Sequence, residues 1–287
     1  MILVSGATGT NGSEIVRLLS ESGVPVRALV RNKAKAEAIT GLPGVEIVEG
    51  DFDKPETLEV ALRGIEKAFM LPPFVNNMVE LQHNFIEAAK KSGVKHIVKL
   101  SAFGADPNSP IMLGRWHGQS EKELESSGIA YTHLQPNGFL QNLLAFGSAI
   151  ATQGTFFQPA ADAKISNVDA RDIAAVAASI LKENGHEGKT YVITGPEALS
   201  FYEVADIFTK VLNKKVTYID ISPEEFKSSM LQWGQPEWLA DALNELFGIY
   251  RAGYGSVITN VVADIAKKEP ITVEQFVRDY ISVFQAN

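Results

Sequence analysis

Three glycines directly after the first apolar run of the chain constrain its fold more than any other feature. The run Ile2–Ser5 predicts a short strand, Gly6, Gly9 and Gly12 follow it, and Ser13–Ser22 has the apolar spacing of a helix. This order of strand, glycine turn and helix is the context in which such a motif binds a dinucleotide. The first glycine makes the tight turn, the second lets the backbone approach a pyrophosphate, and the third lets helix and strand pack closely. The alternative is a glycine-rich turn without a ligand, but the spacing and position of the glycines favour nucleotide binding.

The first half of the chain continues to alternate short apolar runs with amphipathic stretches. Strands that alternate with helices in this way predict right-handed βαβ units and a parallel sheet. We therefore predict an α/β fold: a doubly wound parallel sheet of about six or seven strands with a smaller, mostly helical C-terminal part. Further strands are predicted at Val26–Val30, Val45–Val48, Ala68–Leu71, His96–Leu100, Tyr131–Leu134, Thr190–Ile193 and Val216–Ile221.

The pattern becomes less regular near residues 135–155, which suggests a division of the chain. We expect residues 1–150 to form the nucleotide-binding domain, with 160–195 returning to it. Residues 196–287 are expected to form a smaller domain that covers the substrate. A helix is predicted at 119–127 in the regular first half, and further helices are predicted at 223–246 and 272–284 in the less regular second half.

Composition excludes several classes of protein. The 287 residues include no cysteine, which excludes disulfide scaffolds, zinc–thiolate sites and cysteine nucleophiles. The net charge of -8 argues against nucleic-acid binding, because an acidic surface repels phosphate. The histidines have no metal-ligand spacing, so we expect no metal. No apolar run approaches the ~20 residues of a membrane span, and no signal-peptide pattern is visible, so we expect a cytoplasmic protein that binds no membrane.

The residues after the second predicted strand bear on which nucleotide is bound. A site that prefers NAD carries an acid about 20 residues beyond the glycines, whereas an arginine there accommodates the 2′-phosphate of NADP. The sequence has no acid at this position but has Arg31, with Lys33 and Lys35 close behind it. We therefore predict that NADP, and NADPH over NADH, is the cofactor. The alternative is that Arg31 is only a solvated residue at a strand end.

The glycine motif, Val30–Asn32 and Gly50–Asp51 together resemble the NmrA-like branch of the atypical short-chain dehydrogenases/reductases. Pro136–Asn142 resembles the family's Arg-Pro-x-x-Phe-x-x-Asn stretch, with Gln135 in place of the arginine, and Asp169–Ala174 resembles its Asp-x-x-Asp-Ile-Ala helix start. The pattern is most similar to the quinone and triphenylmethane reductases of this branch. The superfamily places its catalytic serine after the fifth strand, where this chain has Ser101, and in these two reductases a segment like the one from His117 to Lys122 begins the next helix.

The resemblance implies a cofactor that runs along the carboxyl ends of the strands. The glycine loop would bind the pyrophosphate, Arg31 the 2′-phosphate, and Asp51 and Phe52 the adenine. Asp51 has a bland alternative as a turn residue. The implied cofactor-binding residues are Gly6, Thr8, Gly9, Thr10, Asn11, Gly12, Arg31, Asp51, Phe52, Leu71, Pro72, Pro73, Ser101, Pro136 and Asn137.

A pocket for the acceptor is expected beside the nicotinamide. Aromatic side chains that follow strand ends could line a flat apolar pocket there. The predicted substrate residues are Phe74, Phe103, Trp116, Phe139 and Asn142. Packing is the alternative for each of these aromatics, and it is the default for Trp233, Trp238, Phe247 and Tyr250, which have helical spacing.

The proton-transfer pair of ordinary short-chain dehydrogenases is absent. Those enzymes use Tyr-x-x-x-Lys, in which the tyrosine is the acid/base and the lysine lowers its pKa. None of the seven tyrosines has a lysine four residues later. The absence argues against sugar epimerases and alcohol dehydrogenases. His117 and Ser101 are the remaining catalytic candidates, with an exposed helix start and a strand end as their respective alternatives. Glu121–Glu123 is interpreted as a solvated face.

Two functions remain. The first is an NADPH-dependent reductase of a quinone or similar planar conjugated acceptor, whose product water can protonate. The second is an NADP-binding redox sensor without turnover, which would act on a protein partner. An isomerase or epimerase is a third, less favoured hypothesis. An open aromatic pocket would favour catalysis, and a filled one would favour sensing.

Overall fold

The computed structural model describes residues 1–285, which contain nine strands and eleven α-helices. The strands are β1 (Ile2–Val4), β2 (Val26–Val30), β3 (Val45–Glu49), β4 (Lys67–Met70), β5 (His96–Leu100), β6 (Ala130–Pro136), β7 (Thr155–Gln158), β8 (Lys189–Ile193) and β9 (Thr217–Asp220). The helices are α1 (Thr10–Glu21), α2 (Pro55–Ala61), α3 (Met78–Ser92), α4 (Met112–Ser126), α5 (Gly147–Gln153), α6 (Ala170–Lys182), α7 (Phe201–Leu212), α8 (Pro223–Gln232), α9 (Glu237–Arg251), α10 (Val261–Ala266) and α11 (Val273–Asp279). None of these helices is both long and apolar enough to span a membrane.

Seven of the strands form one parallel sheet in the order β3-β2-β1-β4-β5-β6-β8, which confirms the predicted doubly wound fold. Strand β1 pairs with β2 on one side and with β4 on the other, so the strand order reverses there. Ligands of open α/β sheets bind outside the carboxyl ends of the strands at this point. The fold therefore brings the glycine loop after β1 to the same edge as the segments after β4, β5 and β6.

Helices cover both faces of the sheet. Helices α1, α6 and α10 pack on one face, and α2, α3 and α4 pack on the other. Because successive residues of a strand point to opposite faces, Ile2 and Val4 lie in the first apolar cluster and Leu3 in the second. Burial on both sides explains why a strand such as β1 is apolar throughout.

A third apolar cluster forms the C-terminal part of the protein. Strands β7 and β9 pair in parallel, and helices α5, α7, α8, α9 and α11 surround them. Capping boxes fix where two of these helices begin: Ser200 with Glu203 at α7, and Ser222 with Glu225 at α8.

Several predicted helix boundaries were wrong. The predicted helix 223–246 is two helices, because Gly234 adopts a left-handed backbone and Pro236 is the N-cap of α9. The last predicted helix ends at Asp279 and is followed by a 3-10 turn. Helix α4 begins at Met112, seven residues before the predicted start at 119, so His117 lies in its second turn and not at its beginning. The sequence reasoning also missed α5, β7 and α10.

The packing adds detail to the expected division of the chain. Strand β8 and helix α6 belong to the large sheet and its first face, whereas residues such as Leu140 and Phe156 pack in the C-terminal cluster. Val262 in α10 lies in the cluster on the first face of the sheet. The division into 1–150, with 160–195 returning, and 196–287 stays a prediction.

Candidate active site

The glycine loop has no room for side chains at two of its glycines. Gly6 has a φ of +61°, and a Cβ there would lie 2.6 Å from Cδ2 of Leu71. A Cβ on Gly12 would lie 2.1 Å from the carbonyl oxygen of Gly6. Helix α1 begins directly after Gly9, whose lack of a side chain leaves the first-turn N–H groups without a side-chain cap. The loop therefore fits a pyrophosphate, which free N–H groups and a helix N-terminus attract.

Two polar side chains shape this edge of the sheet. The Ser5 hydroxyl donates to the Phe69 carbonyl (3.1 Å) and accepts from the Leu71 N–H (2.8 Å), which ties the start of the loop to β4. Asn11 is buried, and its Oδ1 has no hydrogen-bond partner among the described residues. Asn11 lines the cleft beside the loop, but its Oδ1 has almost no exposed surface and therefore lies beneath the wall of the cleft.

A cleft of about 1520 Å³ opens between the carboxyl edge of the sheet and the C-terminal part. Its walls are largely apolar, and the C-terminal part contributes Phe226, Met230, Leu243 and Phe247. Pockets for single small ligands measure about 300–1,000 Å³, so this cleft has room for a nicotinamide and a large acceptor together. Many of the predicted site residues meet in its wall: Asn11, Leu71, Pro72, Pro73, Phe74, Ser101, Phe103, His117, Pro136, Asn137, Phe139 and Asn142.

The other predicted site residues do not line this cleft: Gly6, Thr8, Gly9, Thr10, Gly12, Arg31, Asp51, Phe52 and Trp116. Arg31 is exposed directly after β2, the strand that pairs with β1, and therefore lies at the edge of the sheet that carries the glycine loop. Its guanidinium makes no hydrogen bond or ion pair within residues 1–285, which leaves it free for a phosphate. Its role stays a prediction.

The residues predicted to flank the adenine have partners within the protein. The Asp51 carboxylate accepts a hydrogen bond from the N–H of Asp53 (3.2 Å), as a turn residue does. The Phe52 ring is buried and stacks on Phe85 at 5.0 Å between centroids. Asp51 keeps one carboxylate oxygen for a ligand, whereas the Phe52 side chain packs mainly against the core.

A group of polar side chains lies under the floor of the cleft; we call Lys99, Ser101, His117, Glu121 and Gln135 the polar cluster. The Lys99 ammonium lies 3.1 Å from Oγ of Ser101 and 3.2 Å from Nδ1 of His117. The Gln135 amide donates to both carboxylate oxygens of Glu121, at 3.0 and 3.1 Å. Strand β5 and its end, helix α4 and strand β6 thus converge on one buried site.

Burial dominates the electrostatics of the polar cluster. It lowers the pKa of Lys99 to about 7, although the charge of Glu121 opposes the shift. Burial, followed by the charge of Lys99, holds the pKa of His117 well below its ordinary value, so the imidazole is neutral. Burial also raises the pKa of Glu121, against Ser101, Lys99 and Gln135, which favour its charged form. At neutral pH the cluster therefore holds a lysine that is close to its point of deprotonation.

Asn137 and Tyr250 form a second polar contact in the wall of the cleft. The Asn137 amide donates to Oγ of Ser166 (2.8 Å) and to the carbonyl of Gly255 (2.7 Å), and its Oδ1 accepts from the Gly138 N–H (2.9 Å) and the Tyr250 hydroxyl (3.3 Å). All of its side-chain groups are thus engaged within the protein, so Asn137 fixes the shape of the wall.

Three aromatic rings connect the two parts of the protein at the border of the cleft. Trp238 on α9 lies 5.6 Å from Phe74 and 5.7 Å from Trp116, measured between ring centroids. Phe74 follows β4 and is 52% exposed, whereas Trp116 is on α4. Trp116 therefore packs against Trp238, and Phe74 lies closest to solvent.

Comparison with known proteins agrees with this geometry. A model of the NmrA-like family matches residues 1–277. The chain belongs to the NmrA-like family. This membership confirms the family predicted from the glycine motif and the segments after β5 and β6.

Similar members of the NmrA-like family are named as reductases. An NAD(P)H azoreductase from Xenophilus azovorans is 42% identical over 286 residues, which is 100% of both chains. The crystal structure of an NADPH-dependent quinone oxidoreductase from Escherichia coli, complexed with NADPH, matches with a TM-score of 0.89 and 32% identity, covering 98% of this chain and 100% of that one. The triphenylmethane reductase of Citrobacter sp., complexed with NADP(H), has a TM-score of 0.86 and 27% identity, covering 97% and 99%. These names agree with the predicted enzyme class and cofactor.

Two polar residues of the site lie where the sequence did not predict them. The sequence predicts Lys99 as part of an apolar strand and Glu121 as part of a solvated face, whereas the structure buries both. Tyr250 packs in the third apolar cluster, as its helical spacing predicts, and it also lines the cleft of this NmrA-like protein. The signal that could have revealed Lys99 is its place in the run His96–Leu100, where a buried strand carries one long cation among apolar residues.

Proposed function

We propose that this chain is an NADPH-dependent reductase that transfers a hydride to a quinone or a similar planar conjugated acceptor, without a Tyr-x-x-x-Lys pair. The observation that carries the proposal is the open, largely apolar cleft at the carboxyl edge of the sheet, whose lining includes Phe103 and Phe139. A filled groove was expected of a sensor. The azoreductase and quinone oxidoreductase relatives support the same class of acceptor.

NADPH is proposed as the cofactor on three features of this chain. The glycine loop fits a pyrophosphate, Asn11 lines the cleft beside that loop, and Arg31 is free at the same edge of the sheet. The relatives whose structures are described as complexes with NADPH and NADP(H) support this cofactor. Since no acid follows β2, the part of the site that would bind the adenosine ribose favours the 2′-phosphate of NADPH over the free 2′-hydroxyl of NADH.

The residues of the cleft then supply alignment. NADPH, when bound, supplies the hydride. Leu71, Pro72 and Pro73 form the wall beside the glycine loop, and Ser101 and Phe103 form the wall after β5. Apolar walls exclude water and hold two planar groups against each other, which contributes to the rate through proximity and orientation.

A panel of acceptors tests the proposal. The purified protein is mixed with NADPH and, separately, with a benzoquinone, a naphthoquinone, an azo dye and a cationic triphenylmethane dye, and NADPH oxidation is followed. We expect turnover with at least one of them. The Phe139→Ala variant should lower turnover about two- to tenfold, because an aromatic contact contributes about 0.5–1.5 kcal/mol.

The matched control for Phe139→Ala is Tyr202→Ala. Tyr202 is an exposed aromatic residue on α7 that does not line the cleft, so its loss should leave turnover unchanged. NADPH oxidation at the protein-free rate with every acceptor would contradict the proposed function. A loss of turnover in Tyr202→Ala equal to that in Phe139→Ala would contradict the assigned position of the acceptor.

A further inference from the structure

Burial of Lys99 costs free energy. It lies on β5, in the middle of the sheet, and its side chain has no exposed surface. Lysine is almost never fully buried without a partner, because its charged form loses its hydration. Its position beneath the cleft therefore requires a role that apolar packing would not fill.

The groups around Lys99 connect it to the cleft. Its ammonium contacts Oγ of Ser101 and Nδ1 of His117, at 3.1 and 3.2 Å. The titratable groups that face it are His117 and Glu121 on α4 and His133 on β6, the strand that pairs with β5. Burial, then the charge of Lys99, lowers the pKa of His133 to about 3, so that ring stays neutral. Of these three residues, His117 lines the cleft.

The hydrogen bond from Lys99 fixes the tautomer of His117. A protonated lysine only donates, so Nδ1 of the neutral imidazole accepts and the ring proton is on Nε2. Nε2 makes no hydrogen bond within residues 1–285 and is not fully enclosed by protein. His117 thus presents an N–H donor to a ligand in the cleft, with a second proton source directly behind it.

We propose that Lys99 supplies, through His117, the proton that a quinone or azo acceptor takes up when it receives a hydride. The proposal rests on the proposed function. The hydride brings two electrons and leaves the acceptor as an anion on oxygen or nitrogen. That atom takes the proton from Nε2 of His117, and Nδ1 of His117 takes a proton from Nζ of Lys99.

The transfer balances in protons and charge. One Nε2–H bond and one Nζ–H bond break, while an O–H or N–H bond on the product and an Nδ1–H bond form. His117 stays neutral with its tautomer exchanged, and Lys99 is left as a neutral amine. After the product leaves, Nε2 of His117 takes a proton from solvent and Nδ1 returns its proton to Nζ of Lys99, which restores the starting state. The sum is acceptor, NADPH and one proton giving reduced acceptor and NADP⁺.

In this arrangement His117 and Lys99 together carry out the proton transfer for which ordinary short-chain dehydrogenases use the Tyr-x-x-x-Lys pair. His117 touches the acceptor, whereas Lys99 is a positioning residue that acts through it. A proton donor works best when its pKa is near the working pH, and the lowered pKa of Lys99 meets that condition. Glu121 balances the charge of Lys99 from the same helix that carries His117.

The first test is the pH dependence of kcat with a quinone for the native protein and for Lys99→Met. In the native protein, kcat should fall as the pH rises above about 7, where Lys99 loses its proton. In Lys99→Met, kcat should be at least about tenfold lower and this decline should vanish, while KM changes little. Lys122→Met is the matched control: Lys122 is an exposed lysine on α4 and should keep the native profile.

The second test uses an acceptor that needs no proton. A cationic triphenylmethane dye becomes neutral when its central carbon receives a hydride. The ratio of dye turnover to quinone turnover should therefore rise at least about tenfold in Lys99→Met. Equal losses on both acceptors, in a variant that unfolds at the native temperature or above, would overturn the proposal.

The outcomes separate this inference from the proposed function. If the native protein fails to oxidise NADPH with every acceptor tested, the proposed function is contradicted. A native protein that turns over quinones, together with a Lys99→Met variant of native kcat and native pH profile, contradicts only the role of Lys99.

Discussion

The glycine loop and the polar cluster lie at the same edge of the sheet, but one is built from backbone and the other from side chains. The loop follows a single strand, and its shape depends on what Gly6 and Gly12 lack. The cluster exists only after β5, β6 and α4 have packed together, because each contributes part of it. A site made of backbone is therefore local in the sequence, whereas a site made of converging side chains depends on the whole fold.

The largest expected effect breaks the backbone side of this comparison. In Gly12→Ala, the new Cβ would lie 2.1 Å from the Gly6 carbonyl oxygen, and neither backbone segment can yield cheaply. Overpacking of this kind costs about 3 kcal/mol, and we expect NADPH affinity to fall about a hundredfold. Titration of the cofactor by fluorescence or calorimetry measures the loss.

The matched control for Gly12→Ala is Gly248→Ala in α9. Gly248 has nothing within 4 Å of its added Cβ, and alanine favours a helix over glycine by about 1 kcal/mol. We expect this variant to bind NADPH normally and to be slightly more stable. Native affinity in Gly12→Ala would mean that the loop does not hold the pyrophosphate.

The second prediction concerns the cost of the side-chain site. Burial lowers the pKa of Lys99 from 10.5 to about 7, so between these pH values the unfolded chain binds a proton that the folded chain does not. Stability therefore rises through this range on account of Lys99, and the full penalty applies below about pH 7. Replacing both buried charges, as in Lys99→Met with Glu121→Gln, should raise the free energy of unfolding by about 2 kcal/mol at pH 7.

Denaturant unfolding of the native protein and this double variant measures that difference. The advantage of the variant should be greatest at pH 7 and shrink toward pH 10, because the lysine of the unfolded native chain then also gives up its proton. If the difference in free energy of unfolding stays constant between pH 7 and pH 10, Lys99 does not have the lowered pKa that its burial implies.

The smallest expected effect sharpens the comparison at the exposed end of the cofactor. In Arg31→Ala, NADPH affinity should fall about tenfold, or about 1.4 kcal/mol, while NADH affinity stays the same. Competitive titration with both nucleotides measures it. Arg63→Ala is the control, since Arg63 is an exposed arginine just before β4, at the opposite edge of the sheet. Equal losses for the two nucleotides would show that Arg31 does not bind the 2′-phosphate.

The sequence predicted the sheet and the backbone part of the site because both leave local patterns. Apolar runs bounded by glycine or proline marked the seven strands of the parallel sheet, and the glycine spacing marked the phosphate edge. Ser101 and Phe103 could be placed in the cleft because they directly follow a predicted strand, and strand ends share one edge of the fold.

The polar cluster could not be predicted from the sequence for a physical reason. The pairing of Glu121 with Gln135, and that of Lys99 with His117, joins residues 14 and 18 positions apart through strand pairing and helix packing, which no local pattern records. Glu121 lies between charged neighbours in the sequence, yet it is the member of Glu121–Glu123 that α4 turns inward. The early start of α4, which makes His117 part of a rigid helix, was hidden by its glycines at 114 and 118. These are unusual in a helix, but close packing against residues 104–109 requires them.

The most direct test of the proposed reductase is rapid mixing of the protein–NADPH complex with one equivalent of a quinone or azo acceptor, with protein in excess over both. The account predicts that a single turnover oxidises the bound NADPH far faster than the same mixture without protein, and that Phe139→Ala slows this step while the cofactor stays bound. If the bound NADPH is oxidised no faster than in the mixture without protein, the proposed reductase function is contradicted.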